Sequence, residues 1–207
     1  PIIFEKKINS YILSKCGNKY DLIYVKSGEL IGKELILDLK KITKKIVFFC
    51  NDNPFVERDK RKWDLFLQSG KYYDLLAFQD QSRIKLSKKF GIKKTILVLP
   101  PYDRRIHKRQ KISKKNIKIL QNDIVFVGTW SVEKGEFIKK LISLGINIKV
   151  YGSRWNKDDD FKFLKRRIEL GHLNFKNYTK VIQGAKIALC LFSEQNLDTI
   201  TARSIEI

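Results

Sequence analysis

Residues 123–137 read DIVFVGTWSVEKGEF, and this stretch decides the fold class. Residues 123–127 form a short apolar run of the kind found in buried β-strands, and a helical pattern covers residues 132–144. The turn between them contains Gly128, which would permit a ligand to approach the backbone closely, and Lys134 would reach a diphosphate. In an open α/β sheet, ligands bind beyond the carboxyl ends of strands, where a helix N-terminus favours phosphate. The spacing matches neither GxGxxG nor the P-loop, which disfavours a nicotinamide-binding or ATPase function.

The same alternation of strand and helix extends along the chain in both directions. Further strand-like apolar runs occur at residues 21–25, 46–50, 73–78, 95–100, 146–152 and 186–192. Helical patterns lie at residues 1–15, 31–43, 59–68, 80–90, 158–169 and 177–184, and another begins after residue 197. Because the strands are continuously apolar, we expect α/β architecture with parallel sheets that carry helices on both faces.

The alternation stops after Pro100 and Pro101 and resumes at residue 123. The intervening sequence is polar and basic and has no sustained apolar period, which is typical of a linker. We therefore predict two Rossmann-like domains and a basic linker, over residues 1–101, 123–207 and 102–122 respectively. The chain contains no Met, even at position 1, so we expect it to begin inside a longer reading frame.

The composition is strongly basic, with a formal net charge of +21. Such a charge favours an anionic partner: nucleic acid, an anionic membrane surface or a phosphorylated substrate. The excess is mostly Lys spread over the whole length, so a solvated basic surface explains it equally well. Residues 104–118 motivate the alternative of a non-enzymatic α/β nucleic-acid-binding protein, but no recognised motif supports it and nucleic acid is not the expected partner.

The sequence predicts a cytoplasmic protein without a bound metal ion. No apolar run approaches the roughly 20 residues of a membrane-spanning helix, and no secretion signal is evident. His107 and His172 are isolated, and the three Cys are scattered, so metal-ligand spacing is missing. We therefore expect no metal and no other cofactor. Contact with an anionic membrane surface would make the protein peripheral to the membrane.

Two further segments carry residues suited to nucleotide chemistry. In KVYGSRW, residues 149–155, an apolar strand ends in Gly152, which in isolation is also explained as a turn residue. In NLDTITARSIEI, residues 196–207, a carboxylate at Glu206 would accept hydrogen bonds from both ribose hydroxyls, and Arg203 suits a phosphate. An ordinary amphipathic helix with exposed charges remains the alternative for this last segment.

Together these segments resemble the donor domain of the spore-maturation (CgeB-type) glycosyltransferases, relatives of glycosyltransferase family four with the two-domain B fold. The resemblance rests on FVGTW, EKG, VYGSRW, TARSIEI and residues 171–192, GHLNFKNYTKVIQGAKIALCLF. Upstream, FFCNDNPF, KYYDLLAFQDQS and LVLPPYDRRIH resemble that family's acceptor domain. The resemblance implies two Rossmann-like domains facing each other across a cleft, and a chain truncated at both ends. It also implies metal-independent, retaining transfer of a sugar from a nucleotide-sugar donor to an unknown acceptor.

The resemblance further implies the residues of the donor site. These are Gly128, Lys134, Tyr151, Gly152, Arg154, Asp198, Thr201, Arg203 and Glu206. Glu206 matches the second acid of the family's paired-acid motif and would hold the ribose, while Asp198 stands at the first acid, which contacts the sugar. No catalytic base is assigned. On the acceptor side, the loop carboxylates of Asp52, Asp80 and Asp103 would bind hydroxyl groups of the acceptor. Loop aspartates are also commonly turn formers.

Overall fold

The computed structural model describes residues 2–112, 120 and 122–207, without the side chains of residues 2–4 and 175. The predicted basic linker therefore lies partly outside the described residues. The chain divides into two compact units, which we call the first unit (Pro1–Pro100 with Phe192–Thr201) and the second unit (Pro101–Leu191 with Ala202–Ile207). The first boundary coincides with the two prolines. Residues 192–201, which the sequence analysis assigned to the second domain, belong to the first unit.

The first unit is built on a parallel sheet with the strand order β1-β2-β3-β4. Its described strands are β1 (Ile23–Lys26), β2 (Ile46–Cys50), β3 (Leu75–Phe78) and β4 (Thr95–Leu97). Its described α-helices are α1 (Ile2–Lys15), α2 (Lys33–Ile42), α3 (Asp64–Ser69) and α4 (Gln81–Ser87). Short 3₁₀ helices lie at Glu57–Trp63, Gly70–Tyr72 and Lys88–Phe90.

The second unit contains a separate parallel sheet with the strand order β7-β6-β5-β8. Its described strands are β5 (Asn122–Val127), β6 (Ile148–Gly152), β7 (Ile168–Leu170) and β8 (Ala185–Leu189). Its described α-helices are α5 (Val132–Ser143), α6 (Phe161–Leu164), α7 (Phe175–Gly184) and α8 (Arg203–Glu206). Short 3₁₀ helices lie at Trp155–Lys157 and Lys165–Arg167. The predicted class of α/β architecture, with parallel sheets flanked by helices, is confirmed.

Helices cover both faces of the second sheet. Side chains alternate between the faces of a strand, so neighbouring residues of β5 enter different cores. Phe126 packs with Ile138 of α5, whereas Val125 packs with Val181 of α7. The periodic apolar residues of both helices thus face the sheet, and burial of each such side chain contributes about 1.5–3 kcal/mol.

Burial differs between the central and the edge strands. Every residue of β2 and β3 is buried or half-buried, because each strand has a neighbour on both sides. By contrast, exposed residues occur in β1, β4, β7 and β8, which lie at the edges of the two sheets. The expectation of strands covered on both faces was therefore wrong for the edge strands.

The predicted helix over residues 158–169 was wrong in its second half. The helix α6 ends at Leu164, a 3₁₀ turn follows, and Ile168 begins β7, which pairs with β6. Leu164 and Ile168 are four residues apart, a spacing that suggests one helical face. Both side chains do enter the same core, but Ile168 reaches it from an edge strand of three residues.

Residues 196–199 are held in the first unit by a buried polar network. Asp80 is 2% exposed and caps α4 by accepting a hydrogen bond from the Ser82 amide. The same carboxylate accepts hydrogen bonds from the amide and the hydroxyl of Thr199. Burial by itself raises the pKa of Asp80, but the hydrogen bonds from Thr199 and Ser82 outweigh it and lower that pKa to about 2.

We predict that Asp80→Asn destabilises the protein at pH 7 by about 2 kcal/mol. A folded-state pKa below the ordinary value means that the carboxylate stabilises the fold above its unfolded pKa, and that this stability is lost as the pH falls through about 2. Urea unfolding between pH 7 and pH 2 should give free energies of unfolding for wild type and variant that converge as the pH falls. The control is Asp38→Asn, since Asp38 forms an exposed pair with Lys41. A stability difference that does not change with pH would contradict the prediction.

Candidate functional site

The carboxyl ends of β5, β6 and β7 open into a cleft of about 280 Å³. Three sides of the cleft are formed by residues that end or follow those strands, namely residues 127–129, 151–153 and 171–173. His107, Tyr178, Arg203 and Glu206 complete the wall. Ligands of parallel α/β sheets bind at this edge. A larger cavity, of about 580 Å³, is lined by residues 109–112 and 183–186 and adjoins residues outside the described part of the chain, so we base no site on it.

Two glycines bring the backbones after β5 and β6 into direct contact. The Gly128 amide donates to the Tyr151 carbonyl at 2.9 Å, and the Trp155 indole donates to the Gly128 carbonyl at 2.9 Å. A Cβ on Gly152 would overlap that same carbonyl oxygen. The missing side chains would point at the Phe126 ring and at this carbonyl, so glycine at both positions lets the two strand ends pack together at the edge of the cleft.

Glu206 is held in place on the opposite wall. Its Oε2 accepts a hydrogen bond from the Tyr178 hydroxyl at 2.7 Å and another from Arg203 at 3.2 Å. The Arg203 guanidinium also stacks 4.4 Å from the centre of the Tyr178 ring. Burial lowers the pKa of Arg203, and the charge of Glu206 partly offsets this effect. The carboxylate is therefore oriented by two donors from two different helices.

His107 approaches the other oxygen of the same carboxylate. Its Nδ1 accepts a hydrogen bond from the Asp103 amide at 3.1 Å, and its Nε2 lies 3.6 Å from Glu206 Oε1. The turn that carries it is closed by hydrogen bonds from the Ile106 and His107 amides to the Asp103 carbonyl. Only 9% of the His107 side chain is exposed. The imidazole is thus a fixed part of the cleft wall.

The structure brings together part of the predicted donor site. The predicted residues that line the cleft are Gly128, Tyr151, Gly152, Arg203 and Glu206. Lys134 and Arg154 are described but do not line it: Lys134 is half-buried on α5, and Arg154 is exposed. Asp198 and Thr201 belong to the first unit.

Asp198 has a structural partner in the first unit. Its Oδ1 forms an ion pair with Arg83 at 2.6 Å, and the side chain of Arg83 is only 1% exposed. Arg83 also donates to the Asn51 carbonyl at 2.6 Å. Removing one member of such a buried pair leaves an uncompensated charge, which costs about 3–5 kcal/mol. The carboxylate that was expected to contact the donor sugar therefore serves here to compensate a buried guanidinium.

The three acceptor-side candidates are also engaged locally. Asp52 pairs with Arg58 at 2.9 Å. Asp80 caps α4 and binds residue 199, as described above. Asp103 lies in the second unit, where it accepts two side-chain hydrogen bonds from Arg105 and so stabilises a turn. The turn-forming role considered for loop aspartates therefore applies to Asp103.

Several residues of the cleft were not among the predicted site residues. His107, His172 and Tyr178 line it, yet the two histidines were dismissed because they are isolated along the chain. His172 follows β7, the strand that the sequence analysis did not recognise. Recognition of that strand would have placed residues 171–173 at the ligand-binding edge by the same rule that pointed to Gly128.

Comparison with known proteins leaves the family open. No protein-family model matches the chain, and a search of curated proteins finds no match. Within the described residues, no group of three or more His, Cys, Asp or Glu side chains is arranged to hold a metal ion. No helix in that part of the chain has the length and apolar character needed to span a membrane.

We predict that Gly152→Ala destabilises the second unit, because the added methyl group would overlap the Gly128 carbonyl rather than a flexible side chain. The expected loss is about 1–3 kcal/mol, measured by urea unfolding. The matched control is Gly17→Ala, whose Cβ would meet only the Tyr20 side chain within 4 Å. Equal stability of the two variants would show that the contact between residues 128 and 152 is not as close as described.

Proposed function

We propose that the chain is a glycosyltransferase of the spore-maturation type and that its second unit binds the nucleoside diphosphate of a nucleotide-sugar donor. The observation that carries the proposal is the Glu206 carboxylate, held by Tyr178 and Arg203 at the edge of the sheet where ligands bind. The two-domain B fold, the retaining outcome and the acceptor remain expectations of the resemblance and belong to the same proposal.

Ribose is the part of the donor that suits Glu206. An ionised carboxylate has about four lone-pair sites, and Tyr178 and Arg203 both bind Oε2. Oε1 therefore has capacity to accept hydrogen bonds from a vicinal diol. Hydrogen bonds to a charged group contribute about 1.5–3 kcal/mol each, which is enough to dominate the affinity of a small ligand.

The wall opposite Glu206, formed by the residues after β5 and β6, is suited to bind the diphosphate. The Thr129 and Ser153 hydroxyls line the cleft 3.2 Å apart, where they can donate hydrogen bonds to phosphate oxygens. Arg203 supplies positive charge from a largely buried position, where electrostatic interactions are stronger than in water. During transfer the leaving diphosphate gains negative charge, and fixed donors of this kind stabilise it.

The nucleic-acid-binding alternative rests on the net charge of +21 and on the basic sequence of residues 104–118. The two functions differ in their response to salt. Binding to a phosphate backbone weakens steeply between 50 mM and 200 mM salt. Donor binding instead depends on the identity of the nucleotide, so affinities for a nucleoside diphosphate and for a mixed-sequence oligonucleotide at both salt concentrations distinguish them.

We predict that Glu206→Ala lowers the affinity for the preferred nucleoside diphosphate by about tenfold or more, because loss of a charge-assisted hydrogen bond exceeds about 1.4 kcal/mol. Calorimetric titration with UDP, GDP, ADP and TDP measures the effect, and circular dichroism confirms folding. Arg203→Ala should weaken diphosphates more than free nucleosides, since only the diphosphate presents charge to the guanidinium.

The matched control for these variants is Glu136→Ala, on the exposed surface of α5 in the same unit. It removes the same charge from the protein without touching the cleft. If Glu206→Ala and Glu136→Ala bind every nucleotide equally well, Glu206 is not a ribose ligand and the proposed donor site is wrong.

We also predict that nucleoside diphosphate binds with the same affinity in EDTA and in excess magnesium or manganese. The charge on the diphosphate would be met by Arg203 and the cleft backbone, so a bridging cation is not required in this proposal. Titrations in the two buffers measure the difference. Binding that disappears in EDTA and returns with metal would contradict the metal-independent assignment.

A further inference from the structure

The tautomer of His107 follows from its backbone contact. The Asp103 amide donates to Nδ1 at 3.1 Å, so Nδ1 acts as the acceptor of the ring. In a neutral imidazole one nitrogen accepts and the other carries the proton. Nε2 is therefore the protonated nitrogen, and it is the nitrogen that faces Glu206.

The gap between His107 and Glu206 has a specific size and polarity. Nε2 and Oε1 are 3.6 Å apart, which is too long for a direct hydrogen bond. The other oxygen of Glu206 already binds Tyr178 and Arg203, which fixes the orientation of the carboxylate. A donor and an acceptor thus stand side by side on the wall of the cleft, and both side chains line it.

A ligand hydroxyl group can form hydrogen bonds with both Nε2 of His107 and Oε1 of Glu206. Its oxygen accepts a hydrogen bond from an N–H while its proton is donated to a carboxylate. A phosphate or carbonyl oxygen would accept from Nε2 but has no proton to donate to Oε1. Because the two atoms are 3.6 Å apart, one oxygen placed to the side of the line that joins them lies within hydrogen-bonding distance of both.

We propose that His107 is a specificity-determining residue: its Nε2–H donates to the ribose hydroxyl that donates to Glu206, so that the cleft selects ribonucleotides over deoxyribonucleotides. This inference rests on the proposed function, since it assigns a second partner to the same ribose. The deoxy analogue leaves the buried Nε2–H and Oε1 without their shared partner, and sites built to bind a hydroxyl reject ligands that lack it.

The experiment compares ligands and variants together. Wild type is titrated with the preferred nucleoside diphosphate and with its 2′-deoxy and 3′-deoxy forms. His107→Phe keeps a flat ring beside Tyr102 but lacks the donor, whereas His107→Gln restores an N–H at a similar reach. We expect wild type to bind the ribonucleotide about tenfold more tightly than one deoxy form, a difference of about 1.4 kcal/mol. In His107→Phe the preference for the ribonucleotide should fall clearly below the wild-type value without vanishing, because the hydroxyl still donates to Glu206, and in His107→Gln it should partly return.

The outcomes separate this inference from the proposed function. If wild type binds no nucleoside diphosphate, the proposed function fails and the inference fails with it. If His107→Phe weakens all three ligands by the same factor, His107 serves packing alone and the inference is overturned while the donor site stands. If wild type binds ribo and deoxy forms equally, neither His107 nor Glu206 binds the ribose hydroxyl, and the inference fails together with the ribose site of the proposed function. Thermal unfolding of each variant confirms that the compared proteins are folded, and equal binding of the ribo and deoxy forms by wild type overturns the inference even if His107→Phe does not fold.

Discussion

The contact between the backbones at Gly128 and Gly152 is the constraint on which the cleft depends. Parallel pairing of β5 with β6 brings the two strand ends side by side, and both turns must then pass through the same space. Only the missing side chain of Gly152 allows the Gly128 carbonyl to lie there, where the Trp155 indole holds it. Trp155 is itself fully buried in the core of the second unit. The shape of the binding edge is thus fixed by the packing beneath it.

The opposite wall depends on a different interaction, the orientation of one carboxylate. Glu206 lies on a helix of four residues, which by itself would not hold a side chain in position. Tyr178 comes from a longer helix that is packed on the sheet, and its hydroxyl provides the external support. Arg203 adds charge and stacks on the same ring. Glu206 is half-buried, and these two donors together satisfy one oxygen of its carboxylate.

The fold class could be predicted from the sequence, whereas one edge strand and the long-range contacts of the candidate site could not. Continuous apolar runs indicated parallel sheets, and Gly128, which follows one of those runs, indicated a ligand-binding edge. The strand β7 was missed because Leu164 and Ile168 have helical spacing, although one belongs to a helix and the other to a strand. The partner of Asp198 could not be predicted, since Arg83 lies far away along the chain.

The position of His107 in the cleft wall could not be predicted either, because it depends on residues that are far apart in the sequence. A single histidine in a basic segment has no local pattern, and only the fold places its imidazole beside Glu206. The preceding Asp103 was noted as a candidate acceptor ligand, whereas its amide and carbonyl serve to position the histidine. Sequence periodicity reports which face of an element is buried, but it does not report which distant side chains meet at a site.

The most direct test of the central claim is an amide NMR titration of the chain with nucleoside diphosphates of different bases. If the cleft binds the donor, one of them should perturb the amides of residues 127–129, 151–153, 171–173, Arg203 and Glu206 together, since these line one cleft. Amides on the lysine-rich surface elsewhere should change little. Perturbations spread over basic surface residues with no maximum at the cleft, or none with any nucleotide at saturating concentration, would contradict it.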